Sequence, residues 1–248
     1  MFVSADYLIM QYGVHDEIAN FFVDREPPAN NLYWKNKLMY LRPEPGYLFI
    51  PVIVDTLNRI GIDRKILLGN EYITLLEQIG HIAALEETNQ ITKHEAIKQC
   101  IDLTKNRSVN KNFYDALVKY MQGDTNNFIQ EMLLPFNALH RGDIFLFSVS
   151  ILDFDDAMAK KIIAYWFTVI ASFLMLDDAQ DIEHDKKNND ENTFVQSGLD
   201  KAGIERIKNF LGQLLITLKT FNKPLARAID NQFVKISEQP HIQQYLNK

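Results

Sequence analysis

Asp177, Asp178, Asp181 and Asp185 crowd the end of the most apolar stretch of the chain, where YWFTVIASFLM (Tyr165–Met175) runs into LDDAQDIEHD. A helix advances about 100° per residue, so positions four apart lie within about 40° of one another. Asp177, Asp181 and Asp185 therefore share one ridge, with Asp178 close beside it. Like charges gathered on one helix face are destabilising without a counter-charge. Neither Asp177 nor Asp178 has a lysine or arginine three or four residues away. Mg²⁺ is a hard cation that takes carboxylate oxygens and commonly bridges them to phosphate. The expected chemistry is a metal–phosphate site. The alternative is a solvated helix end whose charges serve solubility.

Gripping a diphosphate between helices calls for a second ridge. GHIAALEETNQ (Gly80–Gln90) supplies a candidate. Glu86 and Glu87, with Gln90 after them, repeat the i, i+1, i+4 geometry at the end of another apolar helix. An ordinary acidic helix terminus is the competing reading, although acidic groups there oppose the helix dipole. His81 on the same helix reads as a satisfied buried histidine rather than a ligand.

These residues need helices to hold them. Apolar periodicity places helices near 3–23, 47–60, 64–88, 92–104, 109–121, 124–140, 142–151, 154–184, 200–221 and 223–237, with strand alternation and hairpin turns scarce. Asp63 and Asp153 are expected helix starts, since short polar side chains cap free N–H groups. Gly61, Gly123 and Gly198 are expected stops. His184 to Gly198, HDKKNNDENTFVQSG, is too polar for a core helix and reads as a mobile loop after the acidic cluster. No repeat or long linker divides the chain, so one all-α domain over residues 1–248 is expected.

Composition bounds the function. The chain has 248 residues, 47% hydrophobic and 23% charged, which is globular and long enough for a substantial core. A net charge of −6 argues against a broad nucleic-acid footprint. The single cysteine, Cys100, excludes an internal disulfide framework and fits a reducing compartment. The N-terminus lacks a basic segment followed by a long apolar one, and the apolar runs are shorter than a span of roughly 20 residues. A cytoplasmic protein without stable membrane insertion is expected.

DDAQD at Asp177–Asp181, behind an apolar helix and ahead of a charged segment, resembles the second DDxxD motif of trans-isoprenyl diphosphate synthases, within the terpenoid synthase superfamily. Other parts fall in the same order. LRP (Leu41–Pro43) is similar to the end of the GKxLRP element. EETNQ (Glu86–Gln90) falls where the first Asp-rich motif belongs. KKNNDENTF (Lys186–Phe194) resembles the region after the second motif. The likeness spans roughly residues 35–239. It implies an isoprenoid-synthase-like helical bundle around a central apolar cavity, with two Asp-rich motifs facing each other at the mouth. It also implies Mg²⁺ as cofactor, an isoprenyl diphosphate as ligand, and a homodimer. The metal would lie on Asp177, Asp178, Asp181 and Asp185 from one side and Glu86 and Glu87 from the other. Arg42, Lys186 and Lys187 would contact phosphate oxygens, and Trp166, Phe167 and Phe173 would line the cavity.

The departures bear on chemistry. Glu86, Glu87 and Gln90 stand where the first motif has Asp. The arginine pair expected after it is missing from ITKHEAIKQ, which offers Lys93 and Lys98. Leu38 and Met39 replace the glycine and lysine before LRP, with Lys37 nearby. HRGD (His140–Asp143) falls near the place of a Lys-Thr pair. Asp177, Asp181 and Asp185 also match the i, i+4, i+8 ligand spacing of terpene cyclases, without the usual Ser or Thr. Three readings stay open. One is Mg²⁺-dependent ionisation of an allylic diphosphate, as prenyl transfer or cyclisation. The second is a degenerate isoprenoid-binding or regulatory relative. The third is an unrelated bundle with a solvated acidic patch.

Overall fold

The computed structural model describes residues 4–26, 28–32, 49–124, 127–129 and 134–246. Twelve α-helices run in chain order among these residues: α1 (Ala5–Tyr12), α2 (Asp16–Asp24), α3 (Phe49–Ile60), α4 (Arg64–Leu67), α5 (Asn70–Glu87), α6 (Lys93–Thr104), α7 (Lys111–Met121), α8 (Asp156–Asn188), α9 (Thr193–Ser197), α10 (Lys201–Phe221), α11 (Lys223–Ser237) and α12 (Pro240–Leu246). Two 3₁₀ helices, Asn137–His140 and Asp143–Ile151, lie between α7 and α8. No described residue is in a strand, and the fold is all-α.

The architecture centres on α8. Its 33 residues span roughly 50 Å at 1.5 Å per residue. Ile162, Ile163, Trp166, Phe167, Val169, Ile170, Phe173 and Leu176 are all buried. A helix apolar on every side must be wrapped, and here α3, α9, α10, α11 and the first 3₁₀ helix do the wrapping. By length and composition α8 could cross a membrane, and 78% of its apolar window is buried inside the bundle. The helix expected over 154–184 is found over Asp156–Asn188, longer than its apolar run alone.

Several expected boundaries need correction. The single helix expected over 3–23 is replaced by α1 and α2, because Gly13 takes φ 65 and closes α1. A Cβ there would lie 2.8 Å from the Asn222 side chain, which itself donates to the Tyr12 carbonyl. The expected helix 64–88 divides at Gly69 into α4 and α5. Of the expected helix 124–140, residues 127–129 form a bend and turn, and Asn137–His140 is 3₁₀; the rest includes positions outside the described residues. Residues 142–151 are 3₁₀ rather than α. Asp155, not Asp153, caps α8, accepting from Met158 N–H. Asp63 caps α4 as expected, and Gly61, Gly123 and Gly198 all take positive φ at helix ends.

The largest correction concerns residues 184–198. The segment is mostly helical: α8 continues to Asn188, and α9 occupies Thr193–Ser197. Asn189 ends α8 in the left-handed conformation, φ 61, which asparagine tolerates well. Asn192 then caps α9 through Phe194 and Val195 N–H. The polar residues that resembled a loop are helix caps and an exposed last turn. α9 is also pinned from behind. A Cβ on Gly203 of α10 would sit 2.2 Å from the Ser197 carbonyl oxygen, so only glycine allows this approach.

Candidate functional site

The acidic end of α8 divides into two faces. Asp177, Asp181 and Asp185 follow the ridge expected from their spacing, with Asp177 and Asp185 partly buried and Asp181 exposed. Asp178 points into the protein and is 1% exposed. Its carboxylate accepts from Arg141 Nη2 at 2.6 Å, from Thr193 N–H at 2.7 Å and from Thr193 Oγ1 at 2.5 Å. Asn192 adds two ties through one amide nitrogen, to the Asp178 carbonyl at 2.7 Å and to Asp185 Oδ2 at 2.8 Å. The first turn of α9 is thus bonded to α8 through Asp178. A carboxylate taken from water needs such partners, because its desolvation otherwise costs several kcal/mol.

Arg141 is the counter-charge that the helix-neighbour scan did not find. It sits just after the first 3₁₀ helix and donates Nη1 to the Glu191 carbonyl at 2.5 Å. Its Nη2 also lies 4.0 Å from Asp177 Oδ2. The only signal in the sequence was HRGD, set aside as a misfit to a Lys-Thr pair. Partial burial pushes the Asp177 carboxyl up to about 6, against the pull of Arg141 and with the push of Asp178, Asp181 and Asp185. Burial also raises Asp178, opposed by Arg141 and Thr193.

The charge of the same arginine acts on one residue of the second candidate ridge. Glu87 at the end of α5 is raised by crowding against the protein and by Glu86, and is lowered by Arg141. Glu87 nonetheless keeps an exposed side, so the direction alone carries weight. Of the two glutamates, Glu87 is the one on which Arg141 acts, through its charge. α5 itself packs on the second 3₁₀ helix and on α6. Lys186 and Lys187 occupy the exposed last turn of α8 rather than a loop. Arg42, with Leu41, Pro43, Lys37, Leu38 and Met39, lies outside the described residues.

The residues expected to line a cavity are core. Trp166, Phe167 and Phe173 are 1%, 2% and 1% exposed. Phe173 meets Tyr12 edge-on at 5.8 Å, and Phe167 packs against the rings of Tyr120 and His140. A cleft of about 650 Å³ lies instead beside α5 and α6, with Thr74, Glu77, Gln78, His81 and Gln99 in its wall. His81 is satisfied there, its Nδ1 accepting from Leu32 N–H at 3.1 Å. A second, near 390 Å³, lies beside Phe136 and Arg206.

A further polar cluster adjoins Arg141 in the chain. Asp143 Oδ2 takes His140 Nδ1 at 2.7 Å and also the Tyr120 hydroxyl. Asp143 is 3% exposed, and its Oδ1 has no hydrogen-bond partner. Burial raises both its carboxyl and the Tyr120 phenol. Sequence reasoning did not assign these residues a role.

Hard oxygen donors at Asp177 and Asp181, with carboxylates that repel one another at Asp177, fit a hard divalent cation. Asp178 does not fit as a ligand, because Arg141 and Thr193 already hold both of its oxygens. No family model matches the chain, and no curated protein or solved structure matches it.

Proposed function

We propose that the acidic ends of α8 and α5 form one Mg²⁺-dependent diphosphate-binding face around Arg141, in an isoprenoid-synthase-like bundle whose ligand is an isoprenyl diphosphate. The observation that carries this reading is Arg141, which pairs with Asp178 at 2.6 Å, lies 4.0 Å from Asp177, and whose charge also lowers the Glu87 carboxyl. Divalent cations on Asp177 and Asp181 would offset the burial and the repulsion that raise Asp177, and phosphate oxygens would complete their octahedral shells. Arg141 can meet a phosphate through the fork of donors that suits it. Asp185, Glu86 and Glu87 would complete the anionic rim, and Lys186, Lys187 and Arg42 are the remaining phosphate contacts that the family resemblance implies.

Within this reading, a binding or regulatory role is favoured over ionisation of the diphosphate. Asp178 is held as an anchor for α9, and Trp166, Phe167 and Phe173 fill the space an allylic chain would need beneath the face. Ionisation with prenyl transfer or cyclisation is the second reading. It rests on the ridge spacing of Asp177, Asp181 and Asp185.

Calorimetry tests the common part. Mg²⁺ should bind weakly alone and more tightly with pyrophosphate, and Asp177→Ala should remove that difference. Equal Mg²⁺ affinity in all four titrations would rule against the site. Mg²⁺-dependent release of diphosphate from geranyl or farnesyl diphosphate would favour the catalytic reading, and binding without release the regulatory one.

A further inference from the structure

We propose that His184, Asp185 and Asp190 form a site for a borderline divalent transition cation, of the Zn²⁺ or Co²⁺ class, at the C-terminal end of α8. The inference goes beyond the diphosphate reading and uses two residues, His184 and Asp190, that the reading does not. One imidazole nitrogen and two carboxylate oxygens lie within 4.8 Å of one another. Bonds of about 2.0–2.2 Å put neighbouring ligand atoms roughly 3–3.5 Å apart, so side-chain rotation alone closes the site. Asp185 Oδ1 already lies 3.3 Å from His184 Nδ1. Mg²⁺ prefers an all-oxygen shell, whereas an imidazole donor shifts preference to Zn²⁺ and to Fe²⁺, Co²⁺ and Ni²⁺ beside it. Three protein ligands on an exposed surface leave positions for water, the pattern of an open site.

Support comes from outside the three ligands. Asn192 is fully buried and donates to Asp185 Oδ2 at 2.8 Å, while the same nitrogen holds the Asp178 carbonyl. Such an outer partner fixes the orientation of a ligating carboxylate. The left-handed turn at Asn189 brings Asp190 back over the helix end, where its N–H meets the Asp185 carbonyl at 2.9 Å. A cation there also faces the negative end of the α8 dipole. The site would clasp the last turn of α8 to the start of the α9 connection.

The test is titration of the full chain with Zn²⁺ and Co²⁺ in phosphate-free buffer, reading the visible absorption of Co²⁺ for nitrogen ligation. His184→Ala and Asp190→Asn, both exposed positions, should each weaken binding by at least about tenfold. Asp177→Asn should leave it unchanged. The proposal is overturned if the native chain binds no more tightly than His184→Ala. It is equally overturned if Asp177→Asn weakens binding as much as the other two, since the cation would then sit on the ridge. Mg²⁺–pyrophosphate calorimetry on His184→Ala keeps the two sites distinguishable. Heat retained there with Zn²⁺ binding lost supports this site, whatever the fate of the diphosphate reading.

Discussion

Truncation of Arg141 to Ala strands a buried carboxylate. Asp178 is 1% exposed and would keep its Thr193 bonds but lose its ion pair with Arg141. Breaking a buried pair from one side costs about 3–5 kcal/mol. Arg141 is itself partly exposed, so the lower part of that range is expected in urea unfolding; a cost near zero would show that Asp178 is not held as a charge. Asp177, its neighbour in sequence, predicts the opposite sign. Its folded pKa is raised to about 6 from 3.8. The folded state therefore binds the proton more tightly than the unfolded one, and the ionised carboxylate is a destabilising charge. That penalty is full above about pH 6 and fades as pH falls toward 3.8. Asp177→Asn should stabilise the protein at pH 7 by about 1 kcal/mol, after discounting for solvent screening of a side chain this exposed. The gain should vanish near pH 4, as thermal melts at the two values would reveal. The ridge could be read from spacing because helical geometry is local. Arg141 could not, because 37 residues separate it from Asp178 and only tertiary packing brings them together.

At the scale of elements, the junction from α8 to α9 turns on Thr193. Its backbone N–H and hydroxyl both reach Asp178, and Asn192 beside it ties Asp178 to Asp185. Residues 184–188 and 193–197 should therefore show slowed hydrogen exchange without any ligand, unlike a loop that buries too little to be ordered. Thr193→Val keeps the shape and the backbone bond but removes one hydrogen bond to a charged group. A loss of about 1.5–3 kcal/mol is expected, with faster exchange concentrated in 189–198. Uniform exchange across this segment in both proteins would refute the latch. Here composition misled, since Asn and Asp favour turns and caps alike: Asn189 ends α8, Asn192 caps α9, and Thr193 beside it holds Asp178. Single glycines misled in the same way. Gly13 and Gly69 sit inside good helical periodicity, and whether a glycine breaks a helix depends on what its missing Cβ would strike. Long amphipathic elements with ordinary caps, such as α6 with its Thr92–Glu95 capping box, were legible because every local signal agreed.

For the molecule as a whole, the question is whether α8 lines a chamber or fills a core. Periodicity cannot decide it, because the same apolar residues serve either purpose. The packing distinguishes them. Phe173 is 1% exposed, touches Tyr12 edge-on, and stands four residues before Asp177 on the helix that carries the ridge. An isoprenyl chain hung from a diphosphate on that ridge would run past it. If Phe173 lined a chamber, Phe173→Ala would cost little and would admit a longer chain. In a filled core it leaves a hole that the neighbours close only in part, and about 3–5 kcal/mol is expected to be lost. Chemical unfolding of Phe173→Ala measures the cost, and calorimetry with pyrophosphate, geranyl and geranylgeranyl diphosphates reads the ligand side. The expected result is a large loss of stability with the three affinities for Mg²⁺–diphosphate ligands left in the same order. A small loss accompanied by tighter binding of the longest chain would return the interior of α8 to the role of a substrate cavity, and with it the catalytic reading.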